Sequence, residues 1–332
     1  MKKYLLLIIA LCYTVMTNAQ GTDKLSAVLQ HGNDVSVYDG ATGFQQAYAA
    51  AADGDVIILS QGVFQTVSRI EKSLTILGAG FEDNAETNTA TTTLNGNVLV
   101  GKADGVLDGF RIEGVKINGI MEFQNEMKNT NILKSYISGE VRIKKNIETM
   151  TFKQCHIGGS VLGETNVVAK GLLFANCYVD GNARTFSYES TVNIDHCYVA
   201  QYGNNDRAQI LITNTIIGGD YFSNGSGVAP YSILKNCIVS SSAGNFPSTA
   251  LIGTYYKVDL ATIFADANNT SYSEARTFKL QDEETYKGND GTPIGPSGGA
   301  GWNKVPSRPY VSNLSATPSG TNLNVTYETN VK

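Results

Sequence analysis

Phe152-Lys153-Gln154-Cys155-His156-Ile157, Phe174-Ala175-Asn176-Cys177-Tyr178-Val179, Ile194-Asp195-His196-Cys197-Tyr198-Val199 and Leu234-Lys235-Asn236-Cys237-Ile238-Val239 repeat one arrangement of residue types. Leu133-Lys134-Ser135-Tyr136-Ile137 and Ile212-Thr213-Asn214-Thr215-Ile216-Ile217 follow the same order. The small residue that anchors each segment falls at 135, 155, 177, 197, 215 and 237, at intervals of 20, 22, 20, 18 and 22. A period near 20 marks a stack of short structural units. Each unit reads as a strand, a bend and a second strand, and leaves no room for a helix of about ten residues. If one unit is one turn of a parallel coil, equivalent positions pile up at about 4.8 Å.

The columns follow directly. Phe152, Phe174, Ile194, Ile212 and Leu234 form one inward column, and Ile137, Ile157, Val179, Val199, Ile217 and Val239 another. Gln154, Asn176, His196, Asn214 and Asn236 occupy the bend, where stacked polar side chains donate and accept along the ladder. These stacks and this asparagine-rich ladder resemble the right-handed parallel β-helix of the pectate-lyase-like superfamily, as found in exported bacterial proteins. The resemblance implies an all-β right-handed parallel β-helix solenoid with an N-terminal capping helix and an irregular C-terminal cap. It identifies a fold and not an activity.

The rest of the chain divides around this repeat. Met1-Lys2-Lys3, the apolar run Tyr4 to Val15 and Thr17-Asn18-Ala19 have the pattern of a secretory signal over 1–19, cleaved before Gln20. An N-terminal cap over 20–55 contains an amphipathic helix from Phe44 to Ala52, which plugs the open coil end. The β-helix spans 56–267, a Gly-rich C-terminal cap 268–308, and terminal strands 309–332. Within the cap, Trp302 is expected to cover the last coil. The segment from Gly288 to Trp302 is similar to closing segments of exported bacterial β-helix proteins, and it holds no phosphate-binding lysine motif.

Without Lys2 and Lys3 the chain has 23 basic against 30 acidic residues, a net charge of −7. That balance argues against nucleic acid and gives no help in holding an anionic polysaccharide. Four cysteines remain after signal cleavage. Cys155, Cys177 and Cys197 share a column on successive turns, where at most one bridge fits, and buried free thiols are the favoured reading.

Tyr136, His156, Tyr178 and Tyr198 alternate to the outside of the coil as an aromatic strip. Such a strip would hold the apolar faces of sugar rings, with Asp195, Asp180, Lys153 and Lys235 beside it for hydroxyls. The structural alternative is a set of surface β-formers covered by a loop. Under the superfamily resemblance a lyase would need a base and Ca²⁺ held by carboxylates, and Arg184, Asp206 and Arg207 are the candidates for such a site. A hydrolase similar to polygalacturonases would need two or three close aspartates, a Gly-His-Gly and an Arg-Ile-Lys, of which only the last is present, as Arg142-Ile143-Lys144. The expectation is therefore an exported, non-catalytic, monomeric β-helix that binds a polysaccharide or cell-envelope component. It needs no cofactor, and no transmembrane segment remains after signal cleavage. A polysaccharide lyase or hydrolase acting on uronates is the alternative.

Overall fold

The computed structural model describes residues 25–83, 90–164, 166–184, 187, 189–202, 209–219, 232–240, 251–307, 310–319 and 322–330. The signal segment 1–19 lies outside them. The described residues form an all-β solenoid of about 8 turns with one short helix among them.

Each central turn has three faces. The first carries Met127–Leu133, Ile147–Lys153, Ala169–Ala175, Thr191–Asp195, Gln209–Thr213 and Ser232–Lys235, all paired in parallel. The second carries Tyr136–Ile137, His156–Ile157, the start of Tyr178–Arg184, Tyr198–Tyr202, Ile216–Ile217 and Ile238–Val239. The third carries Val98–Val100, Met121–Phe123, Val141–Ile143 and Val161–Gly163. The register is the expected one: Phe152 faces Phe174, then Ile194, Ile212 and Leu234, and Ile157 faces Val179 and Val199. These residues are buried. The Phe152 and Phe174 rings stack with centroids 5.0 Å apart, and each buried side chain of this size contributes about 1.5–3 kcal/mol.

The corner between the first two faces depends on two columns. Gln154, Asn176, His196, Asn214 and Asn236 all have φ between 49° and 55°, in the left-handed region that Asn tolerates better than most side chains. The next residue supplies a γ heteroatom. Ser135 Oγ, Cys197 Sγ, Thr215 Oγ1 and Thr254 Oγ1 accept the backbone N–H of the preceding turn's anchor. Each also donates to the carbonyl two residues back, as Thr215 does to Thr213 at 2.7 Å. The Ser/Cys/Thr column is therefore a hydrogen-bonding device as well as a small-residue column. Cys155, Cys177, Cys197 and Cys237 are free and buried, and burial pushes the Cys237 thiol up to about 12.

At the N-terminus, helix Gly43–Ala50 buries Phe44 and Ala47. An antiparallel hairpin, Ser26–His31 with Asp34–Asp39, pairs onto Val56–Leu59 and covers that edge of the first face. The sequence alone did not reveal this hairpin. At the other end, Tyr310–Ser319 and Asn322–Asn330 pair with each other. Among the described residues no helix is long and apolar enough to cross a membrane.

Candidate functional site

Beyond Ile252 the chain stays on the coil for a few residues, Tyr255 bridging Ile238 and Tyr256 packing against the core, and then leaves the stack. Leu260, Ile263, Phe264, Phe278, Leu280 and Ile294 instead lie against Tyr178, Tyr198, Ile216 and Ile238 and form a second buried cluster outside the second face. From Asn289 to Ser307 the chain then runs back along the bend column as a strap. Asn214 Nδ2 donates to Asn289 Oδ1 at 2.9 Å, and His196 Nε2 lies 3.0 Å from Thr292 Oγ1. Asn176 Nδ2 donates to the carbonyls of Pro296 and Gly298, and Gln154 Nε2 to that of Gly301. Lys134 Nζ donates to the Val305 carbonyl at 2.6 Å. Trp302 packs edge-on against Phe81, Tyr272 and Phe278, rather than over the last coil.

This overlay decides the state of the aromatic strip. Tyr136, His156, Tyr178 and Tyr198 do stand in one column pointing away from the coil interior. Only Tyr136 stays half-buried; His156, Tyr178 and Tyr198 are 4%, 2% and 3% exposed. Their ring faces are occupied by protein: Tyr178 stacks on Tyr198 at 4.7 Å and on Phe278 at 5.2 Å, and its hydroxyl donates to the Thr270 carbonyl. Burial pushes both phenols up, so they stay protonated. An open stacking strip for sugar rings is thus replaced by a covered layer. Period-two alternation places a side chain outside the coil and says nothing of a further layer above it.

Asp195 is on the other side of the bend. Its carboxylate accepts from His196 Nδ1 at 2.9 Å, Thr213 Oγ1 at 2.5 Å and Asn214 Nδ2 at 3.0 Å. It serves the polar ladder. Arg184 pairs in register with Leu162 on the third face, and Asp206 and Arg207 lie outside the described residues.

Where the overlay leaves the second face, a cleft of about 510 Å³ opens, lined by Asp180, Tyr198, Gln201, Asp259, Asn269 and Ser271 among others. Two arrangements hold its walls. His156 lies between the Tyr136 ring at 4.2 Å and the Tyr272 ring at 3.8 Å, and its Nε2 sits 2.9 Å from Asp180 Oδ2. A carboxylate only accepts, so Nε2 carries the hydrogen. Burial, opposed by Asp180, pulls the His156 pKa below its ordinary value, and Nδ1 is buried without a partner, so the ring is neutral. On the opposite wall, buried Arg276 donates through Nη1 to the Asn269 carbonyl at 2.9 Å and the Ser271 carbonyl at 3.2 Å. Its guanidinium lies 4.6 Å from the Phe264 centroid, and Asp266 is its 3.4 Å ion partner.

The cleft thus presents carboxylates, amides and hydroxyls from a fixed frame, the donor and acceptor set that pairs with ligand hydroxyls. A second groove, between the third and first faces, is lined by Lys128 with Glu148 at 2.8 Å and Lys144 with Glu164 at 2.6 Å. These two ion pairs join neighbouring turns across it. Among the described residues no group of three or more His, Cys, Asp or Glu converges on a metal position. Sequence reasoning placed Asp180 beside the aromatic strip but missed Gln201, Asp259, Asn269 and Ser271. The last three come from a segment without the repeat, so no column points to them.

No family model matches the chain, and no curated protein or solved structure matches it.

Proposed function

We propose that this is an exported β-solenoid that binds polysaccharide or cell-envelope glycan in the cleft beside the second face, without cleaving it. The observation that carries the proposal is the convergence of Asp180, Gln201, Asp259, Asn269 and Ser271 on one 510 Å³ cleft whose walls are fixed by His156 and Arg276. Rigidly held polar groups bind hydroxyl pairs with little ordering cost. Export rests on the secretory pattern of Met1 to Ala19. Among the described residues, the charged side chains that line the cleft are acids, which repel uronates and so favour binding of a non-anionic glycan over a uronate lyase or hydrolase.

Calorimetric titration of the purified protein with neutral, amino and uronate oligosaccharides tests this. The expected result is binding of a non-anionic member, weakened at least tenfold in Asp180→Ala and Asp259→Ala, with no product formed. Binding of none of them, or binding untouched by both substitutions, contradicts it, and unsaturated uronate products identify a lyase instead.

A further inference from the structure

We infer that the cleft beside Asp180 and Asp259 selects a saccharide carrying a protonated amine, an amino sugar with its nitrogen free, over the N-acetylated or neutral counterpart. This rests on the glycan-binding reading above and narrows its ligand class.

Charge around the cleft is one-sided. Asp180 and Asp259 are the charged groups lining it, and no Lys or Arg is among the described lining residues. The group that holds Asp180 is His156, and its hydrogen bond is donated by a neutral ring. It orients the carboxylate without supplying a countercharge. The nearby cation, Arg276, faces the Asn269 and Ser271 carbonyls and is matched by Asp266 at 3.4 Å. Asp259 spends one oxygen on the backbone N–H of Ala261 at 3.1 Å, a dipole and not a charge. Among the described residues, two carboxylates therefore share one cleft with no cation of their own. An ammonium that meets either of them forms a charge-assisted hydrogen bond, worth about 1.5–3 kcal/mol, where a hydroxyl forms a weaker one.

The surrounding groups support a sugar as the carrier of that charge. Gln201, Asn269 and Ser271 provide neutral donors and acceptors on the same walls, suited to hydroxyls flanking the amine. The rings nearest the cleft are stacked on one another and carry the frame, so recognition falls on the polar edge. Asp180 keeps 38% of its side chain exposed, so a ligand reaches it without opening the stack, and the attraction is screened by salt.

The test titrates the full chain with oligomers of glucosamine and with the same oligomers N-acetylated, at low and high salt and at a pH where the amine is charged. The expected result is at least tenfold tighter binding of the free-amine oligomer at low salt, with the advantage shrinking as salt rises. Asp259→Asn and Asp180→Asn should each reduce that advantage, weakening the free-amine oligomer more than the N-acetylated one. His156→Phe, which keeps the stack and removes the Nε2 hydrogen, should weaken both oligomers, and His156→Gln should restore part of the loss. Equal binding of the two oligomers at low salt overturns the inference and leaves glycan binding standing. Binding of neither, together with no binding of any neutral oligosaccharide, overturns both.

Discussion

The side-chain amide of Asn176 donates to the backbone carbonyl of Gly298 at 2.6 Å, across 122 residues of chain. The same nitrogen donates to the Pro296 carbonyl at 3.0 Å, and the residue holds φ at 51°. It therefore turns the corner of its own coil and fastens the strap. Asn176→Gly keeps the backbone conformation and loses only the side-chain bonds, at a cost of about 1–3 kcal/mol. Asn176→Ala adds the left-handed penalty of about 1 kcal/mol or more. Urea unfolding of both variants checks the order, and a glycine variant as stable as the parent contradicts the fastening role.

Thr149 sits at φ 59° on the exposed first face, in a column whose other members are Gly109, Asn129 and Gly171. It is the one β-branched side chain among four left-handed positions. Replacing it with Asn, as at 129, should raise stability by about 0.5–1 kcal/mol. An unchanged or lowered melting temperature contradicts this.

Acid should loosen the strap corner. Burial pushes the Asp195 carboxyl up, but hydrogen bonds from His196, Thr213 and Asn214 outweigh it and hold the group below the usual carboxylate range. Asp290, also held low, accepts from the Thr292 hydroxyl and backbone N–H. A carboxyl depressed in the folded state stabilises above its unfolded pKa of about 3.9, and that contribution is lost as pH falls through the folded value. Melting temperature should therefore fall below about pH 4, and Asp195→Asn should flatten that acid limb while lowering stability at neutral pH. A variant with the parent's acid limb contradicts the assignment.

The strap's route makes the early turns depend on the end of the chain. Residues 289–307 touch Asn214, His196, Asn176, Gln154, Lys134 and Glu113 in turn. Ending the chain after Lys287 should speed amide exchange in the turns carrying Gln154 and Lys134, more than 130 residues before the cut in sequence. Val56–Leu59, under the N-terminal hairpin, should keep its protection. Faster exchange confined to the turns around Asn214 and Cys237 contradicts the route.

The coil was legible because its register is written in the spacing: the small anchors at 155, 177 and 197 set which residues stack, and the Asn-rich bend marks the left-handed corner. The strap was not, because its contacts bridge about 75 to 195 positions and have no period. One signal was present in the glycines. A Cβ at Gly298 would come 2.6 Å from the His196 ring, one at Gly288 2.6 Å from Asn214 Oδ1, and one at Gly295 2.5 Å from Ile216. Each glycine permits close approach to a bend or second-face residue, but the partner is not written beside it. The cleft was half legible for the same reason: Asp180 belongs to the repeat, while Asp259, Asn269 and Ser271 belong to the overlay.

Amide exchange of the full chain with and without a bound amino oligosaccharide tests the central claim most directly. Exchange should slow at Tyr198 to Gln201 and Asp259 to Ser271, with the first face unchanged. Protection confined to the first face or to the groove at Lys128 and Glu148, or no change at any position under saturating oligosaccharide, would contradict it.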